Sequence, residues 1–153
     1  MPELSTIDFI TEKIKFEPKG KARLKKWISE SILKEKQQPG NICYVFCSDK
    51  YLLEFNKKYL QHNYFTDIIT FDYTTALKKG SKKKLIAGDL FISIDRIKDN
   101  AKIVGTTFDE ELRRVMIHGV LHLIGYSDKS PAGQQEIRKK ENIYLKNYKT
   151  KKS

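Results

Sequence analysis

The chain has 153 residues, enough for one domain with a real core but not for several. Its 30 Lys and Arg against 19 Asp and Glu leave a net charge of +11, which favours polyanionic partners. No apolar run approaches the ~20 residues needed to cross a bilayer, and the N-terminus lacks the basic and apolar regions of a secretory leader. A cytoplasmic protein with no membrane role is expected.

In chain order, Ile7 to Ile14 predicts a short strand. After Pro18-Lys19-Gly20, Leu24, Trp27, Ile28 and Ile32 recur at helical spacing with charges between them. They predict an amphipathic helix ending near Pro39-Gly40, with Trp27 as a core anchor. Residues 41 to 47 predict a strand carrying Cys43 and Cys47 on one face. Four residues at ~3.3 Å each separate their Cα atoms by about 13 Å, beyond disulfide reach, so free thiols without a functional role are expected.

Asp49 stands where an N-cap belongs, ahead of Leu52, Leu53, Phe55 and Tyr59 on a second helix. Thr66 to Tyr73, rich in β-branched and aromatic residues, predicts a strand. The lysines from Lys78 to Lys84, around Gly80 and Ser81, have the composition of a mobile loop rather than of a membrane-surface helix. Leu85 to Ile94 predicts a largely buried strand, and Asp95 to Val104 a short helix stopped by Gly105. Thr107 and Glu110 form a capping box for a helix with Leu112, Val115 and Met116. Ser130-Pro131 opens the last helix, with Ile137, Ile143 and Leu145 as its apolar residues and a tail from Lys149. Several helices and about four strands in irregular order, without repeats or an internal boundary, predict a single α+β domain over residues 1–153. Its helices pack on one mixed sheet.

The chemistry concentrates in His118-Gly119-Val120-Leu121-His122, which holds two of the three histidines. On a helix, positions i and i+4 share a face, so both imidazoles can turn to one metal ion. Gly125 is a natural helix stop, after which the chain can double back and bring Asp128 to the same point. Two His and one Asp leave a coordination position open, the pattern of a catalytic site rather than a closed structural one. Helical zinc peptidases carry a Glu beside the first His as general base; here that residue is Gly119, so ordinary peptidase chemistry lacks its base. Dense basic runs at Lys19–Lys26, Lys78–Lys84 and Lys146–Lys152 are each a solvated segment taken singly. Together they favour nucleic acid over membrane.

The stretch His118 to Asp128 resembles the H-G-x-L-H-L-x-G-Y-D-H signature of the YbeY family, bacterial endoribonucleases of rRNA maturation. Thr66-Asp67-Ile68-Ile69-Thr70-Phe71 is similar to its T-[DN]-V-L-S-F block, and Gly88-Asp89-Leu90-Phe91-Ile92-Ser93 to its G-D-I-x-I-S strand. The resemblance implies a zincin-like α+β fold and one zinc per chain. It further implies cleavage of single-stranded RNA in maturation of the 3′ end of small-subunit (16S) rRNA and in ribosome quality control, with rRNA and ribosomal particles as partners. His118 and His122 take the first two ligand places. The third, a His in the family, is Asp128, preceded by Ser127; its negative charge weakens the metal as a Lewis acid and admits iron, manganese or nickel. The family's arginine in L-N-x-x-Y-R aligns with Leu60, so another cation must clamp phosphate. His62, the spare imidazole, reads as a polar loop residue, and no general base is identified. Two other functions fit the residues: a zincin-like metallopeptidase, and a non-catalytic ribosome-associated RNA-binding factor whose metal only staples the loop after Gly125.

Overall fold

The computed structural model describes residues 6–61 and 66–150; His62 lies outside them. Five strands, β1 (Ile7–Glu12), β2 (Gln38–Cys47), β3 (Ile68–Asp72), β4 (Thr75–Ala76) and β5 (Lys84–Ser93), form one mixed sheet. Its order is β1-β2-β5-β3, with β4 also on β5. β1 and β2 run parallel, as do β2 and β5, whereas β3 and β4 pair antiparallel with β5. Among the described residues, five helices complete the fold: α1 (Lys21–Lys34), α2 (Asp49–Leu60), α3 (Ile94–Val104), α4 (Phe108–Ile124) and α5 (Pro131–Thr150). The fold is the α+β arrangement expected, with one strand more. The fifth is a two-residue strand, β4, just before the lysine loop, where a pattern of period two has no length to register.

Alternation along the strands gives the sheet two apolar faces. Ile42, Tyr44 and Phe46 of β2 and Ile86, Leu90 and Ile92 of β5 meet residues of α1, α3, α4 and α5 in the main core. The opposite face carries Cys47, Ile69, Phe71 and Phe91, covered by Leu52 and Phe55 of α2. Trp27 is buried, and its indole N–H donates to the Tyr144 carbonyl at 2.7 Å, which makes it the anchor expected. Cys43 and Cys47 are free; burial pushes the Cys47 thiol up to about 12, which leaves it unreactive.

Four local expectations are corrected. α1 ends at Lys34, because Lys36 takes a left-handed conformation (φ 63°) and turns the chain. Pro39 and Gly40 therefore lie inside β2, where the register to β5 shifts before Ile42, and an irregular stretch tolerates a residue without an N–H. The N-cap of α2 is Ser48, whose hydroxyl accepts from the Tyr51 N–H at 3.0 Å. Asp49 instead faces Arg96 at 2.7 Å and accepts from the Ser93 hydroxyl. On α5 the inward apolar residues are Ile137, Tyr144, Leu145 and Tyr148, while Ile143 is exposed; the helix also continues past Lys149.

Candidate metal centre

α4 carries the site, and its sequence explains both its ends. Thr107 accepts from the Glu110 N–H at 3.1 Å, and Asp109, Glu110 and Glu111 complement the positive end of the helix. Only half of the capping box forms, since the Glu110 carboxylate is taken by the Thr106 hydroxyl and Lys149. Val115, Met116, Ile117, Val120 and Leu121 are buried against the sheet, and a fully buried side chain of this kind contributes ~1.5–3 kcal/mol. Two glycines let helix and sheet approach closely. A Cβ at Gly119 would stand 2.8 Å from Ile68 Cδ1, and one at Gly88 would stand 2.5 Å from the Phe71 carbonyl and 3.0 Å from Leu123. Position 119 thus points into the sheet. A glutamate there would have to displace Ile68 and press on Leu90, so packing as well as identity disfavours the peptidase base.

At its C-terminus, Gly125 takes φ 129° while its N–H donates to the carbonyls of Leu121 and His122. That conformation reverses the chain, and Asp128 returns to the histidines. The two Nε2 atoms lie 2.9 Å apart, and Asp128 Oδ2 is 3.5 Å from that of His118 and 3.4 Å from that of His122. Ligands at ~2.0–2.1 Å in a tetrahedron stand about 3.3 Å from one another, so the three predicted residues meet at the separation a metal would impose.

Hydrogen bonds on the far sides of the rings orient them. His118 Nδ1 is 2.6 Å from Glu141 Oε2, and His122 Nδ1 is 3.0 Å from the Tyr126 carbonyl. Both acceptors require Nδ1–H, which leaves each Nε2 lone pair facing the common point. Two such lone pairs and a carboxylate at this range call for a cation, and the donor set suits a borderline divalent metal. Glu141 is buried, and its other oxygen accepts from Arg114 at 2.8 Å. Burial raises the Glu141 carboxyl, but the bonds from His118 and Arg114 outweigh it and hold the group ionised below its ordinary value. Burial likewise pushes the His118 imidazolium down, and Glu141, Asp128 and Asp67 overcome it in the other direction.

The ligand loop is anchored from α1. Glu35 accepts the Tyr126 hydroxyl at 2.5 Å and the Tyr144 hydroxyl, and Lys140 lies 3.1 Å away. Beside the cluster opens a cavity of about 570 Å³ whose walls include Asp67, Glu111, Arg114, Arg138 and Gln134. Burial raises the carboxyls of both Asp67 and Glu111; His118 opposes the rise at Asp67, and Arg114 opposes it at Glu111. Leu60 ends α2, 37% exposed, and does not line this cavity. Among the described residues, Arg114 and Arg138 are the cations that do. Sequence reasoning missed Arg138, Glu141 and Glu35, because nothing in local spacing ties them to His118; Arg114, one helical turn before His118 on α4, carried a signal in that spacing that went unread. Asp67 stood inside a quoted block without a role.

The family model described as Endoribonuclease YbeY matches residues 6–149. Relatives of the same name include one from Cytophaga hutchinsonii, 43% identical over 92% of this chain and 94% of its own length. Another, from Flavobacterium psychrophilum, is 46% identical over 87% and 90%. Among solved structures, TM1509 from Thermotoga maritima superposes with a TM-score of 0.63 at 24% identity, covering 94% of this chain and 89% of that one, a likeness of fold.

Proposed function

The chain belongs to the YbeY endoribonuclease family, and on that premise we propose that it hydrolyses single-stranded RNA with one divalent metal ion, zinc in the first place, held by His118, His122 and Asp128. The observation that carries the reading is the convergence of two ring nitrogens and a carboxylate oxygen within 3.5 Å of one another. They meet at the wall of a cavity that also holds two arginines. When bound, the ion supplies Lewis acidity and a means of ionising water near neutral pH.

The remaining work falls to the chain's own residues. Glu141 and the Tyr126 carbonyl hold the two rings in place. Arg114 and Arg138 set positive charge where phosphate oxygens gain negative charge, the role left vacant by Leu60. Gly119 offers no side chain, so proton transfer passes to a carboxylate of the cavity wall. Asp67 suits it, being half-buried on that wall with its carboxyl raised by burial. The net charge of +11 supports rRNA and ribosomal particles as partners. On this reading the protein acts in the cytoplasm, in maturation of the 16S rRNA 3′ end and in ribosome quality control.

Elemental analysis of protein purified without chelator, followed by RNA cleavage with and without chelation, tests the mechanism. About one zinc per chain and chelator-sensitive cleavage are expected. RNA cleavage that survives metal loss, or degradation of casein in a parallel assay, overturns it.

A further inference from the structure

Resting on that reading, we infer that the outer face of α5 is the track along which the RNA backbone leaves the metal centre, with Arg138 at its head. Two depressions meet on this helix. One is the cavity beside His118 and Asp128; the other is a shallow groove lined by Gln135, Arg138, Lys139, Asn142, Ile143 and Lys146. Gln135 and Arg138 belong to both, so one surface leads from the ligand cluster onto the helix. These residues recur at spacings of three and four and therefore share a face. All six are exposed, while Ile137, Glu141, Tyr144 and Tyr148 turn inward. At 1.5 Å per residue the stripe from Gln135 to Lys146 is roughly 16 Å long.

The stripe's composition specifies its partner. It has three cations, two amides and one aliphatic side chain, with neither an aromatic ring nor a carboxylate. Such a surface offers charge and hydrogen bonds to phosphates and ribose but no platform for bases, so it takes a polynucleotide backbone irrespective of sequence. The Arg138 side chain is 64% exposed, and its ion pair with Glu141 spans 3.9 Å, too loose to hold the guanidinium away from a phosphate.

Position separates this track from the lysine loop. The pairs Arg114–Glu141 and Lys149–Glu110 make α5 antiparallel to α4, so the stripe runs toward the N-terminal end of α4. The lysine loop lies at the other end, where Lys84 Nζ donates to the Ile124 carbonyl at 3.3 Å. Each surface can therefore be neutralised by itself.

The test compares R138A/K139A/K146A with K78A/K79A/K82A, both metal-loaded. Affinity for a short labelled single-stranded RNA is measured across salt concentrations, in the cold and before turnover. Each lost phosphate contact should flatten the plot of log affinity against log salt by about 0.7, so the α5 variant should lose about 2 and bind roughly 100-fold more weakly at ~0.1 M salt. Its metal content and thermal midpoint should match the unmodified protein, since the side chains are exposed. The loop variant should lose less. R138A alone should flatten the slope by about 0.7. An α5 variant with an unchanged slope overturns the track and, with it, the phosphate role of Arg138, and a loop variant that flattens as much overturns the track; either leaves the metal-nuclease reading standing. Unmodified protein that binds no RNA, or prefers anionic vesicles, overturns both.

Discussion

Glu141 reaches back across 23 residues of chain to place its Oε2 2.6 Å from Nδ1 of His118, while its Oε1 accepts from Arg114. One buried carboxylate on α5 thereby orients a ring of the candidate metal site and a cavity arginine, both on α4. Glu141→Gln should preserve the fold and lower metal affinity by about 10–100-fold, the usual effect of losing such a partner. Competition with a calibrated chelator reads this directly. An unchanged affinity would mean that α4 packing alone orients the ring.

His118→Ala and His122→Ala should each abolish stoichiometric metal and RNA cleavage together. Far-ultraviolet circular dichroism should stay native-like, because both rings are only partly buried. Metal analysis and a cleavage assay on the same preparation decide it; cleavage without metal contradicts the assignment.

Asp67→Asn keeps the shape of the cavity wall and removes a titratable group. If Asp67 moves the proton, the cleavage rate falls about 10²–10⁴-fold while metal content is unchanged. Single-turnover kinetics beside elemental analysis distinguish this from loss of the metal.

Gly119→Glu, which would complete the peptidase motif, should instead destabilise the protein. Its Cβ would stand 2.8 Å from Ile68 Cδ1 and 3.3 Å from Leu90. Overpacking at such a site costs ~1–3 kcal/mol, and a buried carboxylate adds to it. At this chain length that is about 2–4 °C of thermal midpoint per kcal/mol. A stable variant that digests casein would refute the packing account.

Glu35 gives a pH signature. Burial raises its carboxyl, but bonds from Tyr126, Tyr144 and Lys140 prevail and set it below the ordinary 4.5. A depressed folded pKa means the stabilisation is complete above 4.5 and fades as the pH falls through the lower folded value. Glu35→Gln should therefore be less stable at pH ~7, by about 1–2 kcal/mol, and the difference should shrink in strong acid. Thermal denaturation from neutral to acid pH measures it; a constant difference would show that Glu35 does not stabilise through its charge.

Much of the scaffold was legible in local pattern. The amphipathic spacing of Leu24, Trp27, Ile28 and Ile32 located α1, and the strands expected over residues 41–47 and 85–94 fall on β2 and β5. What failed were places where local preference yields to surroundings. Pro39-Gly40 reads as a helix stop but lies in a sheet, because the chain had already turned at Lys36. Asp49 reads as a cap, yet Ser48 takes that role and Asp49 turns to Arg96.

Sequence by itself determined the candidate triad, three groups that the fold brings within 4.8 Å of one another. His118 and His122 are one helical turn apart, and a glycine that accepts a positive φ returns Asp128 to them, so short-range geometry sufficed. Only the tertiary structure decided most of what surrounds the triad: Glu141 behind one ring, Glu35 behind the loop that bears the other ring's acceptor, Arg138 on the cavity wall, and a sheet pressed against Gly119. Those contacts join residues distant along the chain. Burial of apolar faces, a non-directional force that leaves no periodic mark at the polar positions it brings together, sets them in place.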